Sequence, residues 1–148
     1  MIKILFVCHG NICRSPMAEF IMKDLVKNRN DFYIESKATS YEEIGNSIYP
    51  PAKRVLSKHN IRFEERSARR MEKSDYDKFD YIIIMDSNNE RNIMKIIDGD
   101  PQNKVHKLLY YTGSNKDISD PWYTGMFDEC FLEIEKGCKA LLNYIDKQ

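Results

Sequence analysis

Residues Val7-Cys8-His9-Gly10-Asn11-Ile12-Cys13-Arg14-Ser15-Pro16 constrain this chain more than any other stretch, because a strand, a polar loop and a helix start follow one another without a break. Ile2, Ile4, Leu5, Phe6 and Val7 form a nearly continuous apolar run, which suits a strand covered on both faces. Ser15 and Pro16 read as an N-cap followed by proline at the first helical position. Ala18, Ile21, Met22 and Leu25 then recur at i, i+3, i+4 and i+7, with Met17 and Phe20 widening the buried stripe. Phe32-Tyr33-Ile34-Glu35-Ser36 supplies the next strand, and no hairpin joins it to the first. A strand, a helix and a strand make a βαβ unit with a right-handed crossover, so the chain is expected to be α/β.

The segment from Cys8 to Arg14 is a C-x5-R pattern followed by Ser15. A loop that closes onto a helix start can aim successive backbone N–H groups at one point, and the helix dipole adds positive potential there. An oxyanion fits that point. Gly10 admits backbone geometry that a Cβ resists, and Arg14 offers a planar fork matched to two phosphate oxygens. Cys8 lies at the mouth of the same field, which favours its thiolate and makes it a nucleophile. Alone, a cysteine after a strand is a small core residue. With Gly10, Arg14 and Ser15 around it in a strand-to-helix setting, it is the candidate reacting group.

Further along, Lys37 to Asn46 forms a polar loop at the C-terminal end of the second strand, the edge where open α/β sheets place ligands. Pro50-Pro51 opens a helix with Ala52, Val55 and Leu56 inward, closed near His59-Asn60; its Lys53, Arg54 and Lys58 face reads as solvated surface. Arg62 to Lys73 is charge-rich and reads as a surface connection. Asp80-Tyr81-Ile82-Ile83-Ile84-Met85 is the clearest strand and belongs beside the first. Ser87 and Glu90 fit an S-x-x-E capping box, and Asp86 is placed to cap or orient neighbours. Asp98-Gly99-Asp100-Pro101 marks a turn before a fourth strand at Val105 to Leu109. The last helix is expected from about Thr124, with Phe127, Phe131, Ile134, Cys138, Leu141 and Ile145 on one face.

With 148 residues the chain fits one domain, residues 1–148. Lysine plus arginine and aspartate plus glutamate both total 23, which leaves no overall footprint for nucleic acid or an acidic membrane surface. Any anion site must be local. The N-terminal apolar run is broken by Lys3 and is far short of the roughly 18 residues of a membrane span, and it does not resemble a signal peptide, so a cytoplasmic protein is expected. The four cysteines match no zinc spacing. Cys130 and Cys138 read as core thiols on a helix, while Cys13 is either structural or a trap for a sulfenic acid formed on Cys8.

The run from Val7 to Glu19 resembles the signature of the low-molecular-weight protein tyrosine phosphatases. Ser36-Lys37-Ala38-Thr39-Ser40, Phe79 to Asp86 and Asp120-Pro121-Trp122-Tyr123 extend the likeness over nearly the whole chain. The resemblance implies a three-layer α/β/α fold with a central four-stranded parallel sheet in the order 2-1-3-4. It implies hydrolysis of phosphotyrosine proteins and small aryl phosphates through a phosphocysteine on Cys8, with Arg14 on the phosphate and Asp120 as general acid and base. His9, Gly10, Asn11, Ile12, Cys13 and Ser15 would line the phosphate site, Trp122 and Tyr123 one pocket wall, and Tyr41 or Tyr49 the other. Asn11 and Ser36 resemble the pair that holds the loop in its unusual backbone shape, and Asp86 would support it. None of these steps needs a metal or cofactor. The expected partners are a phosphotyrosine-bearing protein and a phosphate or other oxyanion, without nucleic acid or membrane, and the expected state is a monomer or weak dimer.

The sequence departs from the family in three places. Trp122 stands where tyrosine is usual, the specificity-bearing aromatic aligns with Glu42, and Arg66 stands where a histidine steadies the loop. Arsenate reduction on the same fold needs two further cysteines, and residues 79–101 contain none. A protein-arginine phosphatase tends to carry threonine after Gly-Asn, where this chain has Ile12. A non-catalytic phosphotyrosine-binding module would have lost its nucleophile or acid, and Cys8, Arg14 and Asp120 are present.

Overall fold

The structure is a computed structural model that describes all residues 1–148. Strand β1 spans Ile2–Cys8, helix α1 Arg14–Leu25, β2 Phe32–Ala38, α2 Pro50–Lys58, α3 Asp75–Lys78, β3 Tyr81–Ile84, α4 Ser87–Ile97, β4 Val105–Lys107, α5 Pro121–Thr124 and α6 Phe127–Asp146. The four strands form one parallel sheet in the order β2-β1-β3-β4. Sheet order and class therefore match the expectation, and β1 takes the central place its apolar run demands.

Period-two alternation divides β1 between two cores. Ile4, Phe6 and Cys8 face a layer built from α1, α2 and α6, whereas Leu5 and Val7 face Met71, Phe79, Ile93 and Ile97. The nucleophile candidate thus ends the face that α1 covers, and the loop after it rises at the C-terminal edge of the sheet. Gly137 in α6 lets that helix close on the segment after β4; a Cβ there would come within 2.5 Å of Leu108 Cγ.

Five local expectations are corrected. Helix α1 starts at Arg14 with Cys13 as N-cap and no side-chain cap, because Ser15 is buried and bonded to the loop instead. The cap of α4 is Asp86, whose Oδ1 accepts from Asn89 N at 2.7 Å while Asn89 Oδ1 accepts from Asp86 N at 3.2 Å; the box lies one residue before the Ser87 reading. Strand β4 stops at Lys107, where Leu108–Thr112 tightens into a 3₁₀ turn. The last helix, α6, begins at Phe127 rather than Thr124, because a separate short helix, α5, capped by Asp120, runs to Thr124 and Gly125 ends it at φ +74°. Finally, the segment from Arg62 to Lys73 is not merely surface, since Ala68 and Met71 are fully buried and Ala38 bridges to Arg70 beside β2.

Candidate active site

The loop between β1 and α1 wraps the Cys8 sulfur. Asn11 N and Ser15 N donate to Cys8 Sγ at 3.3 and 3.4 Å, and Ser15 Oγ lies 3.1 Å from it. Ser15 Oγ already accepts from Asn11 Nδ2 at 2.7 Å, so its own hydrogen is free to point at a thiolate. Two backbone N–H groups and the Ser15 hydroxyl thus converge on one sulfur. The backbone N–H groups of Gly10, Ile12 and Cys13 donate to no protein acceptor, which leaves them for an oxyanion above the sulfur.

Asn11 is the keystone of that shape. It is fully buried and left-handed at φ +59°, a conformation asparagine tolerates better than most residues. Its Nδ2 also donates to Ser36 Oγ at 3.0 Å, and its Oδ1 accepts from Arg69 N at 3.3 Å. Ser36 donates onward to Glu19 Oε1 at 2.5 Å. Gly10, read from sequence as the conformationally free residue, has no positive φ; its role is close approach, because a Cβ would sit 3.2 Å from Glu43 Cγ.

Arg66 does take a place behind the loop. Its Nη2 donates to Asn11 O at 2.7 Å and approaches Ser36 Oγ at 3.4 Å. Burial lowers the pKa of this guanidinium, and Glu19 and Cys8 partly oppose that shift. Glu19 and Arg66 therefore frame Ser36 with opposite charges, and sequence reasoning assigned no part to Glu19. The other Glu19 oxygen, Oε2, accepts from Lys23 Nζ one helical turn on, at 2.7 Å.

Arg14 enters the site from the first turn of α1 and is 2% exposed. Its Nη1 donates to Asp86 Oδ2 at 2.7 Å and to Ile118 O at 2.8 Å, and its Nη2 reaches Asp120 Oδ2 at 3.4 Å. Burial works against its charge, but Cys8, Asp120 and Asp86 outweigh it and the pKa rises. Asp120 is held from below: its Oδ1 accepts from Trp122 N at 3.1 Å as the cap of α5, which leaves Oδ2 facing the cleft.

Cys8, Arg14 and Asp120 line one cleft of about 140 Å³ together with His9, Gly10, Ile12, Cys13, Glu42, Glu43, Trp122 and Tyr123; Asn11 and Ser15, expected in the lining, are instead fully buried behind it, where their side chains bond the loop. Trp122 packs on Tyr49 with ring centroids 4.7 Å apart, so Tyr49 braces the aromatic wall. Tyr41 does not line the cleft; it is 70% exposed, lies under the Arg70 guanidinium at 4.2 Å, and belongs to a different groove. Its neighbour Glu42 lines the mouth of the cleft instead, with its carboxylate 2.9 Å from His9 Nε2. Cys13 shares the cleft as a reduced, buried thiol, with a pKa driven up by burial and then by Cys8. The same burial pushes Cys130 up to about 12. No helix is long and apolar enough to cross a membrane.

A family model described as low molecular weight phosphotyrosine protein phosphatase matches residues 3–148. A low molecular weight protein-tyrosine-phosphatase of Staphylococcus aureus is 37% identical over 150 residues, covering 99% of this chain and 96% of the relative. The crystal structure of YfkJ from Bacillus subtilis superposes with a TM-score of 0.94 at 38% identity, over 99% of this chain and 96% of that one. A low molecular weight protein tyrosine phosphatase from Streptococcus pyogenes superposes at 0.89 with 36% identity, over 97% and 93%. With both sequence and fold matched over nearly their full lengths, the chain belongs to the low molecular weight phosphotyrosine protein phosphatase family.

Proposed function

We propose that this protein is a protein tyrosine phosphatase, hydrolysing phosphotyrosine in proteins and small aryl phosphates through a phosphocysteine. The observation that carries the reading is the convergence of the Asn11 and Ser15 N–H groups and the Ser15 hydroxyl on Cys8 Sγ, with the buried Arg14 and the Asp120 carboxylate in the same cleft. In the first step the Cys8 thiolate attacks phosphorus, Arg14 and the loop amides bind the equatorial oxygens, and the phosphorus–oxygen bond breaks. Asp120 gives its proton to the departing phenolate. In the second step water attacks the phosphocysteine, Asp120 takes its proton, and the phosphorus–sulfur bond breaks to restore the thiolate. Ser15 hydrogen-bonds the leaving sulfur in that step. Asp86 and Ser36 act on the loop and on Arg14 without touching substrate.

The aromatic wall of Trp122 and Tyr123 suits a flat leaving group. Four unpaired cysteines suit a reducing compartment, so the proposed setting is cytoplasmic, with the protein a monomer or weak dimer. The test is hydrolysis of an aryl phosphate, a phosphotyrosine peptide and a phosphoarginine peptide, with chelator present. Wild type should turn over the first two, Cys8→Ser none, and Asp120→Ala about 10²–10⁴-fold less than wild type. Preference for phosphoarginine, or turnover by Cys8→Ser, would contradict the reading.

A further inference from the structure

The cleft above Cys8 has two unlike walls. Trp122 and Tyr123 make one aromatic, while Glu42 and Glu43 make the other acidic. Both carboxylates are fixed in place: Glu42 by His9 Nε2 at 2.9 Å, and Glu43 by Asn46 Nδ2 at 2.6 Å. The Glu42 side chain nevertheless remains 70% exposed, open to whatever lies across the mouth. Arg14 is the one lysine or arginine in the lining, and it is buried and directed at the phosphate site. Arg70 is held over the Tyr41 ring, outside the cleft.

A peptide whose phosphate is gripped by Arg14 must lay its flanking residues on this rim. Acidic flanks meet like charge there. A lysine or arginine flank meets carboxylate on one side and ring faces on the other, both attractive to a cation. We infer that the site selects phosphotyrosine followed or preceded by lysine or arginine, and that the Glu42 carboxylate sets this charge preference. This selection rests on the tyrosine phosphatase reading above. It has its own physical basis in the charge of one wall, separate from the chemistry at Cys8.

The experiment measures kcat/KM for three phosphotyrosine peptides identical except for lysine, alanine or glutamate flanks, using wild type, Glu42→Gln and Glu42→Lys. From the strength of exposed ion pairs, wild type should prefer the lysine peptide over the glutamate peptide by about tenfold at low salt. At about 1 M salt, where screening acts within about 3 Å, the preference should fall within about twofold. Glu42→Gln should shrink the low-salt ratio and Glu42→Lys invert it. Each ratio is taken within one variant, so altered folding or active fraction cancels. Equal rates on all three peptides by wild type, or an unchanged ratio in Glu42→Lys, would overturn the selection and leave the phosphatase reading standing. Failure of wild type on all three peptides alongside turnover of another phosphate ester would overturn both.

Discussion

Replacing Asn11 with alanine probes the loop at its most connected residue. Three side-chain hydrogen bonds disappear, to Ser15, Ser36 and Arg69 N, each worth about 1 kcal/mol net in a buried setting. Alanine also holds the left-handed φ less readily, at a cost of about 1 kcal/mol. The total is about 4 kcal/mol if the loop keeps its shape, which for a chain of this size corresponds to a fall in Tm of about 10 °C. The backbone can relieve part of that by leaving the left-handed region. Doing so swings the Asn11 N–H away from Cys8 Sγ and releases Ser15 Oγ, so lost stability converts into lost catalysis. The expected result is a Tm lowered by about 5–10 °C together with a kcat lowered about 10²-fold, the scale of one missing oxyanion donor. Asn11→Gly keeps the backbone conformation but not the bonds, and should recover a few degrees while kcat stays low. Thermal unfolding and aryl phosphate kinetics on the same samples decide the matter. An Asn11→Ala protein with unchanged Tm and unchanged kcat would refute the keystone role.

Two further outcomes follow from the titrating groups. Burial raises the pKa of Cys13, Cys130 and Cys138, so these thiols stay protonated near neutral pH, and brief treatment with iodoacetamide should label Cys8 alone by peptide mapping. Glu35 is pulled down to about 2 by bonds from Tyr33, Arg69 and Lys78 that outweigh its burial. Its carboxylate therefore contributes stability above the unfolded value near 4.5, and that contribution is lost as pH falls towards 2. Because the site is partly open to solvent, the loss should be about 1 kcal/mol, and Glu35→Gln should flatten the acid limb of a stability–pH curve measured by urea unfolding.

Much of the fold was legible because its signals were local. The apolar run of β1 and β3, the i, i+3, i+4 stripe of α1 and the Asp-Gly-Asp-Pro turn each act within a few residues, and the structure keeps them. The errors arose where a residue had two competing partners. Ser15 could have capped α1 but was claimed by Cys8 and Asn11, so Cys13 took the cap position. Ser87 could have capped α4, but Asp86 offered a better acceptor to Asn89 N while also anchoring Arg14. Cys8, Arg14 and Asp120, named from the motif and the family likeness together, lie along one cleft, while Asn11, Ser15 and Ser36, named the same way, sit behind it in the loop's hydrogen bonds. Tyr41 was misplaced because one residue of loop register decides whether a side chain faces the cleft or the solvent, and His9 selects Glu42. Glu19 and Ile118 O were missed for a different reason: their partners are distant in sequence, and only the folded chain brings them to Ser36 and Arg14.

The most direct measurement is a rapid-quench experiment with an aryl phosphate at saturating concentration, followed by mass analysis of the digested protein. A phosphoryl group carried on the peptide containing Cys8, enriched in Asp120→Ala when a good leaving group is used, is the result the mechanism requires. Turnover with no phosphorylated Cys8 peptide at any quench time, or the phosphoryl group on another residue, would contradict it.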